Sequence, residues 1–280
     1  MKKNCENSKR VSIVTGASSG LGREIAKLLC EKGHIVYVVA RRKNLLENLK
    51  KECSEFKGKI KPLAGDLTSA SFREKIVSQV LRESGKIDYL INNAGFGKLT
   101  SFENTDIKDI EGMYALNVIA GEHLTQLALP IMKKRKRGKI VNIASVVAFV
   151  PPAYFSVYNA TKAAVFNFSK SLSYELVDSG VSVSVLFPAR MNTPFWVVAF
   201  KCKGLKGKKH ATCAANWSKN SVAPTRVARY LIRKLDSQNL VLLPGFLPKF
   251  YYYVVSHIPF LNSLVMKFVV GPKTKKTLGI

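Results

Sequence analysis

Carboxylates are scarce in this chain, and scarcest towards its end. Against 45 lysines and arginines stand 18 aspartates and glutamates, a formal net charge of +27. Asp236 is the only carboxylate side chain after Asp178, so the C-terminal third forms a basic surface. Such a field attracts polyanions, among them anionic lipid headgroups, nucleic acid and phosphorylated substrates or carriers. An excess that serves only solubility is the other reading. The five cysteines (Cys5, Cys30, Cys53, Cys202, Cys213) are odd in number and lack paired spacing, which fits free thiols in a reducing compartment better than a disulfide framework. The first ten residues lack the apolar core of a signal peptide, so export is not expected and a cytoplasmic location is. Residues 244–270 are too polar and too interrupted by proline to supply the roughly 20 mainly apolar residues of a membrane span.

Apolar runs and amphipathic stretches alternate along the chain. Residues 11–14 read as a short buried strand that enters Thr15-Gly16-Ala17-Ser18-Ser19-Gly20-Leu21-Gly22, and a helical pattern follows over 23–32. In a strand–turn–helix unit of this kind Gly16 permits the tight turn, Gly20 lets backbone approach a pyrophosphate, and Gly22 lets the helix pack close to the sheet. The second strand, 35–40, lacks the carboxylate that would accept bonds from a ribose 2′-hydroxyl. It runs instead into Arg41-Arg42-Lys43, which suits the 2′-phosphate of NADP(H).

A third strand over 59–64 ends at Gly65-Asp66-Leu67, and an amphipathic helix over 69–83 turns Phe72, Ile76, Val80 and Leu81 inward. A fourth strand, 87–91, stops at Asn92-Asn93-Ala94-Gly95. A long helix over about 107–134 carries Asn117 in its middle, and a fifth strand ends at Ser145. Between these two the run Lys133-Lys134-Arg135-Lys136-Arg137 reads as a solvated helix end rather than a nucleic-acid patch. A sixth strand over 181–187 reaches Pro188. This alternation implies a parallel sheet with helices on both faces and ligands at the carboxyl ends of the strands.

Ser156-Val157-Tyr158-Asn159-Ala160-Thr161-Lys162 brings a phenol and an ammonium four residues apart onto one helix face. A fixed cation beside Tyr158 favours its phenolate, which suits a group that acts as general acid in one direction and general base in the other.

Taken in order, Thr15-Gly16-x-x-x-Gly20-x-Gly22, Asp66, Asn92-Asn93-Ala94-Gly95, Asn117, Ser145, Tyr158-x-x-x-Lys162 and the segment from Pro188 to Thr193 closely resemble the short-chain dehydrogenase/reductase family. The resemblance implies one α/β domain over 1–280: a Rossmann-type doubly wound parallel sheet of about seven strands, order 3-2-1-4-5-6-7, with helices on both faces. It implies a catalytic set of Asn117, Ser145, Tyr158 and Lys162. Ser145 would hydrogen-bond the substrate carbonyl and Tyr158 would protonate it. Lys162 would hold the nicotinamide ribose and lower the Tyr158 pKa, while Asn117 would lead through water to solvent. The NADP(H) site would comprise Gly16, Ser18, Ser19, Gly20, Leu21, Gly22, Arg41, Arg42, Asp66, Leu67, Asn93, Ala94, Gly95, Tyr158, Lys162, Pro188 and Thr193. A homo-oligomer, dimer or tetramer, is implied on the same ground.

One departure is visible: Ala189 stands where the family usually has glycine after Pro188, which puts the setting of Thr193 in question. The family's substrate loop falls over 194–224, where Phe195, Trp196 and Phe200 precede a lysine-rich run over 201–209. No metal is expected, because Cys202, His210 and Cys213 lack ligand spacing. The basic, aromatic extension over 244–280 suits an anionic membrane interface, an active-site flap or a dimer contact. These features point to an NADPH-dependent oxidoreductase that interconverts a hydrophobic, lipid-like or steroid-like ketone or aldehyde and its alcohol. A 3-oxoacyl-carrier thioester reductase and a non-catalytic NADP(H)-sensing protein are the alternatives, and no nucleic-acid partner is expected.

Overall fold

The computed structural model describes residues 9–200 and 221–257. Residues 1–8, most of the expected substrate loop with Cys202, His210 and Cys213, and residues 258–280 of the extension lie outside them.

Seven strands form one parallel sheet in the order β3-β2-β1-β4-β5-β6-β7. They are β1 (Val11–Thr15), β2 (Ile35–Ala40), β3 (Lys59–Ala64), β4 (Tyr89–Asn92), β5 (Gly138–Ile143), β6 (Val181–Leu186) and β7 (Val241–Leu242). Strand β2 (Ile-Val-Tyr-Val-Val-Ala) is a near-continuous apolar run because both faces of the sheet are covered, while β1 and β6 carry serines among their valines, with Ser12 and Ser184 buried. Helices α1 (Gly20–Glu31) and α2 (Lys43–Glu52), with α8 (Pro224–Lys234), cover one face. There Ile25, Leu29, Leu46, Val227 and Leu231 pack on Val14 and Val36. Helices α3 (Ala70–Ser84), α5 (Ala120–Lys134) and α6 (Ser156–Glu175) cover the other, where Ile76, Val80, Leu124 and Leu172 meet Ile13 and Tyr37. The sheet order and the helices on both faces agree with the expectation from the motifs.

The helix expected over 107–134 is present, with one irregularity in its middle. Helix α4 (Ile107–Tyr114) passes through a single π-helical turn, Ala115–Ile119, before α5 begins, and Asn117 sits in that turn. A π turn inserts one residue into the helical ladder, and such insertions cluster at functional sites. The basic run forms the helix end as expected. Lys133 and Lys134 occupy the last turn of α5, Arg135 pairs with the buried Asp88 at 3.1 Å, and Lys136 takes φ 49° to leave the helix. In α3 the buried side includes Arg73, which periodicity alone does not suggest. Among the described residues no helix is long and apolar enough to cross a membrane.

At the amino end of the sheet His34 is buried between Ser12, whose hydroxyl lies 2.9 Å from Nδ1, and the ring of Tyr89, stacked at 5.4 Å. Burial, with Arg10 nearby, pushes its pKa down to about 4. The unfolded chain therefore takes up this proton at higher pH than the folded one. The stability that neutral His34 supports is complete above about pH 6.5 and lost as pH falls towards 4, about 3 kcal/mol in all. Chemical denaturation between pH 7 and 4 should show a shallower acid loss for His34→Gln than for the parent. Equal slopes would remove His34 as the source.

Candidate active site

The crevice opens where β1 ends between β2 and β4, the point at which the strand order reverses. The Thr15 hydroxyl accepts N–H bonds from Asn93 and Ala94 at 2.9 and 3.0 Å. It also lies 3.3 Å from the Ile91 carbonyl, to which it donates. The Asn93 side-chain amide returns a bond to the Thr15 carbonyl at 2.8 Å. The turn after β1 and the turn after β4 are thereby locked together. Gly16 and Gly20 hold φ values of 68° and 58°, the left-handed region that glycine occupies without strain. A Cβ on Gly22 would run into the Asn93 amide and the Gly16 carbonyl, so this glycine is what allows α1 to sit so close.

Ser19 leaves the α1 N-terminus without a side-chain cap, and the first turn holds no acid. Free N–H groups and the positive end of the helix dipole therefore face the crevice, an arrangement that fits a pyrophosphate. At the edge of β2, Arg42 turns back to the same turn and donates to the Ser18 and Ser19 hydroxyls at 2.7 and 2.9 Å. A guanidinium and two hydroxyls are thus gathered at one edge of the crevice, where Arg41 and Arg42 are both exposed. At the end of β3, Asp66 Oδ1 accepts from the Thr68 N–H at 2.9 Å. The neighbouring Leu67 carbonyl accepts from the buried Arg73 guanidinium at 2.5 Å, and Arg73 Nε reaches His123 at 2.9 Å.

Further along the sheet, α6 carries Tyr158 and Lys162 into the interior, 8% and 4% exposed. Lys162 Nζ donates to the Ile143 carbonyl at 2.8 Å and lies 5.6 Å from the centre of the Tyr158 ring. The expected juxtaposition of phenol and ammonium is present, but the balance of forces differs from the one the sequence suggests. Burial raises the Tyr158 pKa well above that of a free phenol, and a hydrogen bond with Ser145 opposes it. Burial also pushes Lys162 down to about 8. In this state Tyr158 holds its proton firmly.

Ser145 follows β5, and its hydroxyl also caps the 3₁₀ turn Val146–Ala148 by accepting from the Val147 N–H at 3.4 Å. Asn117 is fully employed within the protein. Its carbonyl oxygen accepts from the Phe96 N–H at 2.9 Å, and its amide donates to the Phe96 carbonyl at 2.9 Å and to Thr161 Oγ1 at 3.0 Å. A Cβ on Gly95 would stand 3.0 Å from Asn117 Oδ1 and 3.6 Å from Lys162 Nζ, so glycine keeps that approach open. Asn117, Ser145, Tyr158, Lys162 and the turn after β4 therefore converge on one region.

Aromatic rings close over this region. Phe155 packs on Tyr158 with ring centres 4.5 Å apart, and Phe195 of α7 (Phe195–Ala199) meets it at 5.3 Å. Trp196 donates Nε1–H to the Met191 carbonyl at 2.9 Å, and the Leu99 N–H donates to the Ala199 carbonyl at 2.8 Å, which fastens α7 at both ends. Tyr154 takes φ 63°, unusual for an aromatic residue, and its carbonyl accepts from the Thr100 N–H at 2.9 Å. The doubt over Ala189 is answered by the backbone, which adopts no positive φ there. Pro188 still accepts from the Val146 N–H at 3.3 Å, and Thr193 lies against Gly20, 3.2 Å from where a Cβ would be. Phe155 and Arg73 belong to no motif, and Thr161 lies between Tyr158 and Lys162 without being one of the motif's fixed positions.

The family model for short chain dehydrogenase matches residues 10–201. The chain is 33% identical over 186 residues to a 3-ketodihydrosphingosine reductase of Bacteroides thetaiotaomicron, covering 66% of this chain and 65% of that protein. It is 33% identical over 194 residues to 11-beta-hydroxysteroid dehydrogenase-like 2 of Arabidopsis thaliana, covering 69% and 62% respectively. Both matches reach just under two thirds of the relative's own length. A short-chain dehydrogenase from Sphingobium yanoikuyae, solved in complex with NADPH, superposes with a TM-score of 0.76 at 29% identity, covering 90% of this chain and 94% of that one. On its matched residues and its sheet, the chain belongs to the short-chain dehydrogenase/reductase family of oxidoreductases.

Proposed function

We propose that this protein is an NADP(H)-dependent carbonyl reductase for hydrophobic ketones or aldehydes of lipid-like or steroid-like character. The observation that carries the reading is the protonated, buried Tyr158 phenol beside Ser145 and Lys162, at the carboxyl end of the sheet and next to a dinucleotide-shaped turn.

A bound nicotinamide supplies the hydride. The chain's own groups handle the oxygen. The Ser145 hydroxyl donates to the carbonyl oxygen as negative charge develops on it, and Tyr158 Oη delivers the proton. The buried ammonium of Lys162 stabilises the phenolate that remains, and Asn117 fixes the loop through Phe96 and the helix through Thr161 so that these groups stay aligned. Phe155 and Phe195 keep water from the phenol and offer apolar surface to the substrate. The substrate class is supported by this aromatic wall and by the names of the two relatives, both of which denote enzymes of lipid or steroid chemistry. The choice of NADP(H) rests on Arg42 with Ser18 and Ser19.

With long-chain ketones, 3-keto lipids and ketosteroids, the purified protein should oxidise NADPH with at least one class. Tyr158→Phe should lower turnover by about 10²-fold or more while cofactor binding, read by fluorescence, persists. Absence of turnover with every class, or an unimpaired Tyr158→Phe, would contradict the reading. For reduction, kcat/KM should hold steady up to about pH 8 and fall above it, because the Lys162 charge is lost there and the proton on Tyr158 only later. A profile unchanged to high pH would remove Lys162 from the mechanism. Finally, Arg42→Ala should raise KM for NADPH by about tenfold or more and leave KM for NADH nearly unchanged, as expected for loss of a charge-assisted bond. Equal effects on both cofactors would instead mark Arg42 as a support of the turn.

A further inference from the structure

Helix α9 (Phe246–His257) turns large apolar side chains outward. Phe246, Leu247, Phe250 and Tyr253 are between 49% and 76% exposed. They recur three and four residues apart and so share one side of the helix, with Phe246 and Phe250 stacked at 6.0 Å. The other side is anchored: Pro248 is buried, and the Tyr252 ring meets Phe149 edge-on at 5.6 Å. Scattered exposed apolar residues are ordinary, but a contiguous stripe on an anchored helix marks an interaction surface.

Charge selects the occupant. After Asp178 the chain has sixteen lysines and arginines against Asp236 alone, and Asp236 is already taken by Arg10 at 2.8 Å and by the Tyr89 hydroxyl at 2.5 Å. A second copy of this chain would carry the same excess of positive charge. An anionic bilayer surface meets both features, because its headgroups attract the lysines while its acyl boundary accepts aromatic rings. Lys249 is exposed beside the stripe, where its stem can lie along the rings and its ammonium can reach a phosphate.

We propose that α9 docks on an anionic bilayer with the Phe246–Leu247–Phe250–Tyr253 stripe at the headgroup–acyl boundary. The consequence for the site is positional. Helix α9 packs against the 3₁₀ turn Val146–Ala148, which begins directly after Ser145. Docking therefore brings the carbonyl-binding side of the crevice next to the lipid from which a hydrophobic substrate would come. This consequence rests on the proposed substrate class; the docking itself does not.

The test uses the full chain and vesicles of phosphatidylcholine alone or mixed with phosphatidylglycerol. The protein should sediment with the anionic vesicles at low salt and much less with neutral ones. The pair Phe246→Ser and Phe250→Ser should weaken binding by about tenfold, with turnover of a water-soluble ketone unchanged. Leu247→Trp should show a blue-shifted emission on anionic vesicles only. Binding by the double variant equal to the parent, or an unmoved Trp emission, would reduce the contact to charge alone and overturn the docking. A parent that stays in the supernatant with anionic vesicles at low salt would overturn the docking, and a double variant that changes oligomeric size would assign the stripe to a second copy instead. Tyr158→Phe should bind vesicles as the parent does, so failure of the catalytic reading leaves this result legible.

Discussion

The structure depends on the way the Thr15 hydroxyl joins two strand ends. A single oxygen accepts two backbone N–H groups from the turn after β4 and donates to the end of β4 itself. Buried backbone donors in a turn must find partners, and a strand end cannot supply them all by sheet pairing. By satisfying them from β1, Thr15 fixes the distance between the glycine turn and the Asn93–Gly95 turn. The Asn93 amide then bonds back to the Thr15 carbonyl, and Gly22 must lack a side chain for α1 to fit over the pair. The anion-facing helix end and the floor beneath Lys162 are therefore set by one hydrogen-bonded joint rather than by two independent loops.

The second determinant is burial. Tyr158 and Lys162 sit in a wall of aromatic and aliphatic groups, and removal from water acts on each group against its charged form. The phenol keeps its proton and the ammonium holds its charge less firmly, so burial acts on the two groups in opposite pKa directions and against the charge of each. The Ile143 carbonyl compensates Lys162 in part, and the Ser145 bond eases Tyr158 in part. Compensation of the pair within the protein is thus incomplete.

Most of the fold was legible because parallel strands announce themselves as apolar runs and their crossover helices as amphipathic ones. Arg42 was legible for a local reason: nothing acidic stands at the end of β2. Arg73 was not, because its burial comes from contacts with Leu67 and His123 that are 6 and 50 residues away in sequence. The raised pKa of Tyr158 was likewise hidden. Helical spacing places Lys162 beside it, but Phe195 reaches it from another strand connection, and desolvation is a property of the assembled wall. Ala189 shows the converse: a residue that looks costly in a motif stands where the backbone adopts no positive φ.

The π-helical turn at Ala115–Ile119 has a consequence for how this helix can vary. One residue in an α-helix corresponds to about 100° of rotation. Removing the extra residue to make the ladder regular would carry Asn117 to a different side of the helix, away from Phe96, Gly95 and Thr161, although every residue type in the motif would remain. The irregular turn is therefore a phase setting: it lets α4 follow one apolar stripe and α5 another, while the single amide between them keeps its aim at the crevice.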